Sequence, residues 1–235
     1  MIWFVSGLLF SGEATPGFTP EHIEYFYKKP AGEGPFPVIF LLHRFQYPDQ
    51  NVGGKQLVEL GWLDRFVKEG VVAASISIPG FGNSAGQRDY VGPDSQQAVI
   101  AAMNHFRLYP FVDRTKVGIY GVSRGAMLAS MIGALYSGLT FQILESGIYD
   151  LLSPRPDLPD YLEGIRENMK MEAGMTEEAL MLRSAVYHTS RVTAKTLILH
   201  GEFDDRHGLP SAIKLHEGLI KEGKASYFNA NSALN

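Results

Sequence analysis

The chain has 235 residues, of which 45% are hydrophobic and 20% charged, with a formal net charge of −4 and no cysteine. This excludes a disulfide framework, a thiolate metal site and the basic face that nucleic-acid binding needs. The length suits a single α/β domain over residues 1–235, large enough to bury its own core.

The first ten residues, Met1 to Phe10, are mostly apolar. They lack a Lys or Arg before the apolar run and a clean small-x-small cleavage site, so a strand is predicted in preference to a signal peptide. A cytoplasmic location is expected on that basis. Secretion is the alternative if residues 1–14 are a signal remnant. No apolar run is long enough to cross a bilayer. His22 to Tyr27 alternates as a strand does, and Pro37 to Leu42 is a continuous apolar run of the kind found in a central buried strand. Leu57 to Lys68 reads as a helix closed by Gly70, and Val71 to Ile78 as the next strand. Pro79 to Gly86 is a loop rich in breakers. Asp94 to Phe106 is predicted helical, with Val99, Met103 and Phe106 on one face.

Val117 to Tyr120 reads as a short buried strand and Ala126 to Leu135 as a helix. Between them stands Gly121-Val122-Ser123-Arg124-Gly125. A G-x-S-x-G pentapeptide between a strand and a helix is a nucleophile elbow. The turn is so tight that small residues must flank the serine, whose hydroxyl then projects above the sheet. Phe141 to Leu144 and Thr196 to Leu199 are further strands, Ser211 to Lys221 a helix, and Ala225 to Phe228 a last strand. Residues at about 150–188 interrupt the alternation, first with Pro154, Pro156 and Pro159 and then with a helical pattern. They are expected to form a small inserted cap. Met169, Met171, Met175 and Met181 lie there, either as core filler of short helices or as an adaptable apolar wall over a substrate.

Four segments resemble the α/β-hydrolase superfamily, and within it the catalytic domains of the prolyl oligopeptidase and acylaminoacyl-peptidase group. They are Pro37 to His43, Ile78 to Ser84, Val112 to Gly125 and Leu199 to Arg206. The resemblance implies an α/β-hydrolase fold with a mostly parallel central sheet and helices on both faces. It implies acyl transfer on an ester or short peptide, with no metal or organic cofactor and no nucleic-acid partner. Ser123 would be the nucleophile and Asp204, in preference to Asp205, the acid that orients the base. The backbone N–H groups of Phe45 and Arg124 would form the oxyanion hole. His200 matches a residue that orders the acid loop. Arg44 stands where the family has glycine, either lining the cleft or pointing to solvent.

One departure concerns the base. The resemblance places a histidine about 30 residues beyond the acid, where this chain has Ala233. Replacement of the histidine, a longer product with a histidine beyond Asn235, and another histidine such as His207 all remain open. The alternative function is a non-catalytic binding or scaffold protein that keeps the elbow as inherited structure.

Overall fold

The computed structural model describes residues 12–153, 163–202, 204 and 208–231. The apolar start of the chain lies outside them. Eight strands form one sheet in the order β1-β2-β4-β3-β5-β6-β7-β8. Their ranges are β1 Thr15–Phe18, β2 Glu24–Lys28, β3 Phe36–Leu42, β4 Val72–Ile76, β5 Val112–Val122, β6 Phe141–Glu145, β7 Lys195–Gly201 and β8 Ser226–Asn231. The first two strands pair antiparallel. Every pairing from β4 to β8 is parallel.

Strand side chains alternate across the sheet, and the core divides accordingly. Val38, Phe40, Leu42, Val72, Ala74 and Ile76 point into one buried cluster, whereas Ile39, Leu41 and Ala73 point into another. The second face is covered by α1 Lys55–Glu59 and α2 Trp62–Lys68, through Leu57, Leu63 and Val67. The first is covered by α3 Pro93–Phe106, α4 Arg124–Leu135 and α7 Gly208–Lys221. Helices on both faces explain why β3 is a continuous apolar run: neither side of it meets water.

Of the boundaries that differ from the sequence reading, two stand out. The helix predicted over Leu57 to Lys68 is two helices, because Gly61 takes a left-handed φ of 72° that ends the first. Strand β5 begins at Val112, five residues before the predicted start. Its polar Asp113 to Lys116 stretch shifts register against β3 before regular pairing resumes at Val117.

Between β6 and β7 the described residues carry α5 Glu163–Ala173, α6 Glu177–Met181 and two 3-10 turns, Ala185–Tyr187 and Thr189–Arg191. Thr176 caps α6 by accepting the N–H of Ala179 at 3.2 Å. Of the four methionines here, Met169 packs against the core, while Met171 is 73% and Met175 50% exposed. They form neither one apolar wall nor one core.

Candidate active site

Strands β3 and β5 lie side by side, with Leu42 opposite Gly121. The chain leaves β3 for β4 on one side and leaves β5 for β6 on the other, so their C-terminal ends flank a topological switch point. Such a point opens the crevice where parallel sheets hold ligands. Ser123 emerges here in a strained conformation, φ 54° and ψ −117°. Its N–H donates to the carbonyl of Glu145 at 2.8 Å, and its own carbonyl accepts from Ala126 and Met127. A Cβ at position 121 would run into the carbonyl of Gly125, and one at 125 into the carbonyl of Leu42. Both glycines are therefore sterically required, which is the physical content of the pentapeptide.

The loop after β3 supplies Phe45. His43 is fully buried, and its Nδ1–H donates to the carbonyl of Arg44 at 2.8 Å. Its Nε2 accepts the N–H of Ile78 at 3.1 Å, which fixes the tautomer. Burial pulls its pKa from 6.5 down to about 4, helped by the nearby Arg124 and Arg88 and opposed by the bond to Arg44. His43 is therefore neutral at pH 7. Because a trans peptide aims its C=O and N–H in opposite directions, holding the Arg44 carbonyl also aims the Phe45 N–H. Among the described residues, neither Phe45 nor Arg124 gives its N–H to another group. The Arg44 side chain is exposed.

Asp204 follows β7. Its carboxylate meets Nε2 of His200 at 2.7 Å, and His200 is buried at the end of that strand. The N–H of Ser146 bonds the carbonyl of Leu199, so the ends of β5, β6 and β7 are stitched together in sequence. Strands β5 and β7 are separated by one strand, about 10 Å between their axes. That gap is of the size a histidine ring spans between a serine and a carboxylate. The other described histidines that make side-chain bonds are committed elsewhere: His188 to the carbonyl of Met181 and His216 to the hydroxyl of Ser226. His207, Asp205, Arg206 and Ala233 lie outside the described residues.

Helix α5 reaches the elbow through a contact with no sequence signal. Arg124 is 7% exposed and pairs with Glu172 of α5 at 2.7 Å, across 48 residues of chain. Its guanidinium lies 4.4 Å from the ring centres of both Phe45 and Tyr90. Glu172 also accepts the N–H of Tyr90 at 3.2 Å. Arg88 stacks on Phe81 at 4.1 Å and approaches Phe45 at 5.7 Å. Just beyond β6, Asp150 is buried and bonded by Lys214 at 2.5 Å. Burial alone would raise its pKa, but Lys214, Ser153 and the Leu152 N–H outweigh that and hold it at about 2. This pair ties the segment after β6 to α7.

A mostly parallel sheet with this strand order, and a strained serine at its switch point, define an α/β-hydrolase fold. Residues 62–233 match the prolyl oligopeptidase family, and the chain belongs to it. A candidate dipeptidyl aminopeptidase of Schizosaccharomyces pombe is 24% identical over 204 residues, 82% of this chain and 22% of that protein. The acylaminoacyl peptidase of Pyrococcus horikoshii superposes with a TM-score of 0.73 at 19% identity, over 94% of this chain and 37% of that one. Dipeptidyl peptidase 4 of Porphyromonas gingivalis gives 0.69 at 20% identity, over 94% and 31%. An acylaminoacyl peptidase in complex with Z-Gly-Gly-Phe-chloromethyl ketone gives 0.71 at 19% identity, over 93% and 37%. The chain thus spans about a fifth of the curated relative and about a third of these structures. Among the described residues no helix is long and apolar enough to cross a membrane, and no cluster of His, Asp and Glu is placed to hold a metal.

Proposed function

We propose that this chain carries out ester or short-peptide hydrolysis through an acyl-enzyme on Ser123. The observation that carries the reading is the strained backbone of Ser123, held between two glycines that cannot be larger. Strain of about 1–3 kcal/mol at a non-glycine residue persists only where its surroundings enforce it, and such residues cluster at functional sites.

In the first step Ser123 Oγ bonds to the substrate carbonyl carbon, and its proton passes to a base. The oxygen that becomes negative is met by the N–H groups of Phe45 and Arg124, the latter at the positive end of α4. Collapse of the tetrahedral species breaks the bond to the leaving amine or alcohol, which takes the proton from the base. Water then repeats the sequence on the acyl-enzyme and releases the acid. Asp204 orients the base, and His200 orients Asp204. Of the histidines in this chain, His207 beside Asp204 in sequence is the candidate base. The complex of an acylaminoacyl peptidase with Z-Gly-Gly-Phe-chloromethyl ketone supports a peptide or acyl-peptide substrate.

One observation favours the non-catalytic alternative: the Asp204 carboxylate already faces a buried histidine that belongs to its own strand. Hydrolysis of p-nitrophenyl butyrate decides between the two. Turnover well above buffer, lost in Ser123→Ala, is expected. Turnover equal in the two proteins would assign it to a contaminant and leave the scaffold reading.

A further inference from the structure

Two guanidinium groups share the Phe45 ring beside the elbow, and a carboxylate pairs with one of them. Glu172 lies within 2.7 Å of Arg124, and their side chains are 10% and 7% exposed. Arg88 belongs to the same cluster. Burial lowers its pKa, Glu172 raises it and Arg124 lowers it, so it senses both charges. The cluster carries one positive charge in excess. Nε of Arg88 donates to the carbonyl of Gly80 at 3.2 Å, and among the described residues its terminal nitrogens donate to none. The rings of Phe45, Phe81 and Tyr90 hold the two guanidiniums by their faces. Phe45 also carries a proposed oxyanion N–H, so the excess charge borders the place where the acyl group would lie.

A buried ion pair gains little over well-packed apolar residues, because desolvating two charges offsets most of their attraction. The Arg124–Glu172 pair is therefore poorly explained as a stabiliser. It is better explained as a cation site whose anion comes from a separate, short helix. We propose that Arg124 and Arg88 form a carboxylate-binding subsite beside Ser123, that Glu172 is its resident anion, and that a carboxylate of the substrate displaces it. Guanidinium edges match a carboxylate by paired hydrogen bonds, and the resident group is itself a carboxylate. The substrate class is an acyl or peptidyl group bearing a carboxylate near the scissile bond. In calling that ligand a substrate the inference rests on the hydrolase reading, whereas the binding site does not.

The test is calorimetric titration of the chain at low salt with glutarate and with its neutral counterpart glutaramide. Glutarate is expected to bind at least about tenfold tighter than glutaramide. Removing the competing anion in Glu172→Gln should tighten glutarate by about tenfold, and Arg88→Met should weaken it by a similar factor. Melting curves verify that each variant is folded. If Glu172→Gln does not fold, half-exposed Arg88 still carries the test. Equal binding of the two ligands, or no weakening in Arg88→Met, would overturn the subsite. In Ser123→Ala glutarate binding should persist. Binding kept in a chain without esterase activity would remove the hydrolase reading and leave the subsite, and activity indifferent to substrate charge would do the reverse.

Discussion

At the ends of β3 and β5 the candidate site is made of backbone: two N–H groups, a strained serine peptide and two glycines that cannot carry a Cβ. At the end of β7 it is made of side chains, Asp204 with its partner His200. The first half is locked by contacts within the sheet. The second depends on which side chain the loop presents. On the proposed reading, charge stabilisation is thus written into the fold, while proton transfer is added to it. A chain of this kind can keep the first after losing the second.

The contrast can be sharpened by substitutions that fall on one side only. Asp204→Asn should lower kcat/KM for p-nitrophenyl butyrate by roughly 10³ or more, because the base loses the carboxylate that orients it. A rate within threefold of the parent would place the acid elsewhere. On the backbone side, Gly125→Ala pushes a methyl into the carbonyl of Leu42 and should destabilise the fold by about 3 kcal/mol, read from urea midpoints. An unchanged midpoint would show that the elbow relaxes freely.

His43 gives an effect that depends on pH. Its pKa is 6.5 unfolded and about 4 folded, so between those values the unfolded chain binds more protons. The stability it protects is complete above pH 6.5 and is lost as the pH falls toward 4, by something on the order of 3 kcal/mol. In His43→Asn that part of the pH profile should flatten, while Asp150, held at about 2, titrates below it. A profile unchanged by the substitution would contradict the role of His43 in holding the loop. The smallest effect is expected at Arg44. The side chain is exposed, so Arg44→Gly should change stability by under about 0.5 kcal/mol and leave charge preference intact.

Most of the fold was legible in the sequence because buried parallel strands are apolar runs and their helices are amphipathic. Pro37 to Leu42, Val71 to Ile78 and Phe141 to Leu144 each coincide with a strand to within two residues at either end. The elbow was legible because steric exclusion at Gly121 and Gly125 leaves a pattern of small residues. Strand β1 was missed: Thr15–Phe18 contains Pro and Gly and sits at the sheet edge, where pairing on one side only imposes no hydrophobic signature. The sequence points to Arg124 as an N–H donor alone. Its partner Glu172 was invisible because a contact across 48 residues leaves no periodicity. The methionine cluster misled for a related reason, since composition does not say which face of α5 turns inward.

Intact-mass measurement after exposure to a fluorophosphonate probe tests the central claim most directly, because the reagent bonds only to an activated serine. One adduct per chain, mapped to Ser123 and absent from Ser123→Ala, is the predicted result. A chain that stays unmodified, or an adduct that survives in Ser123→Ala, would contradict it.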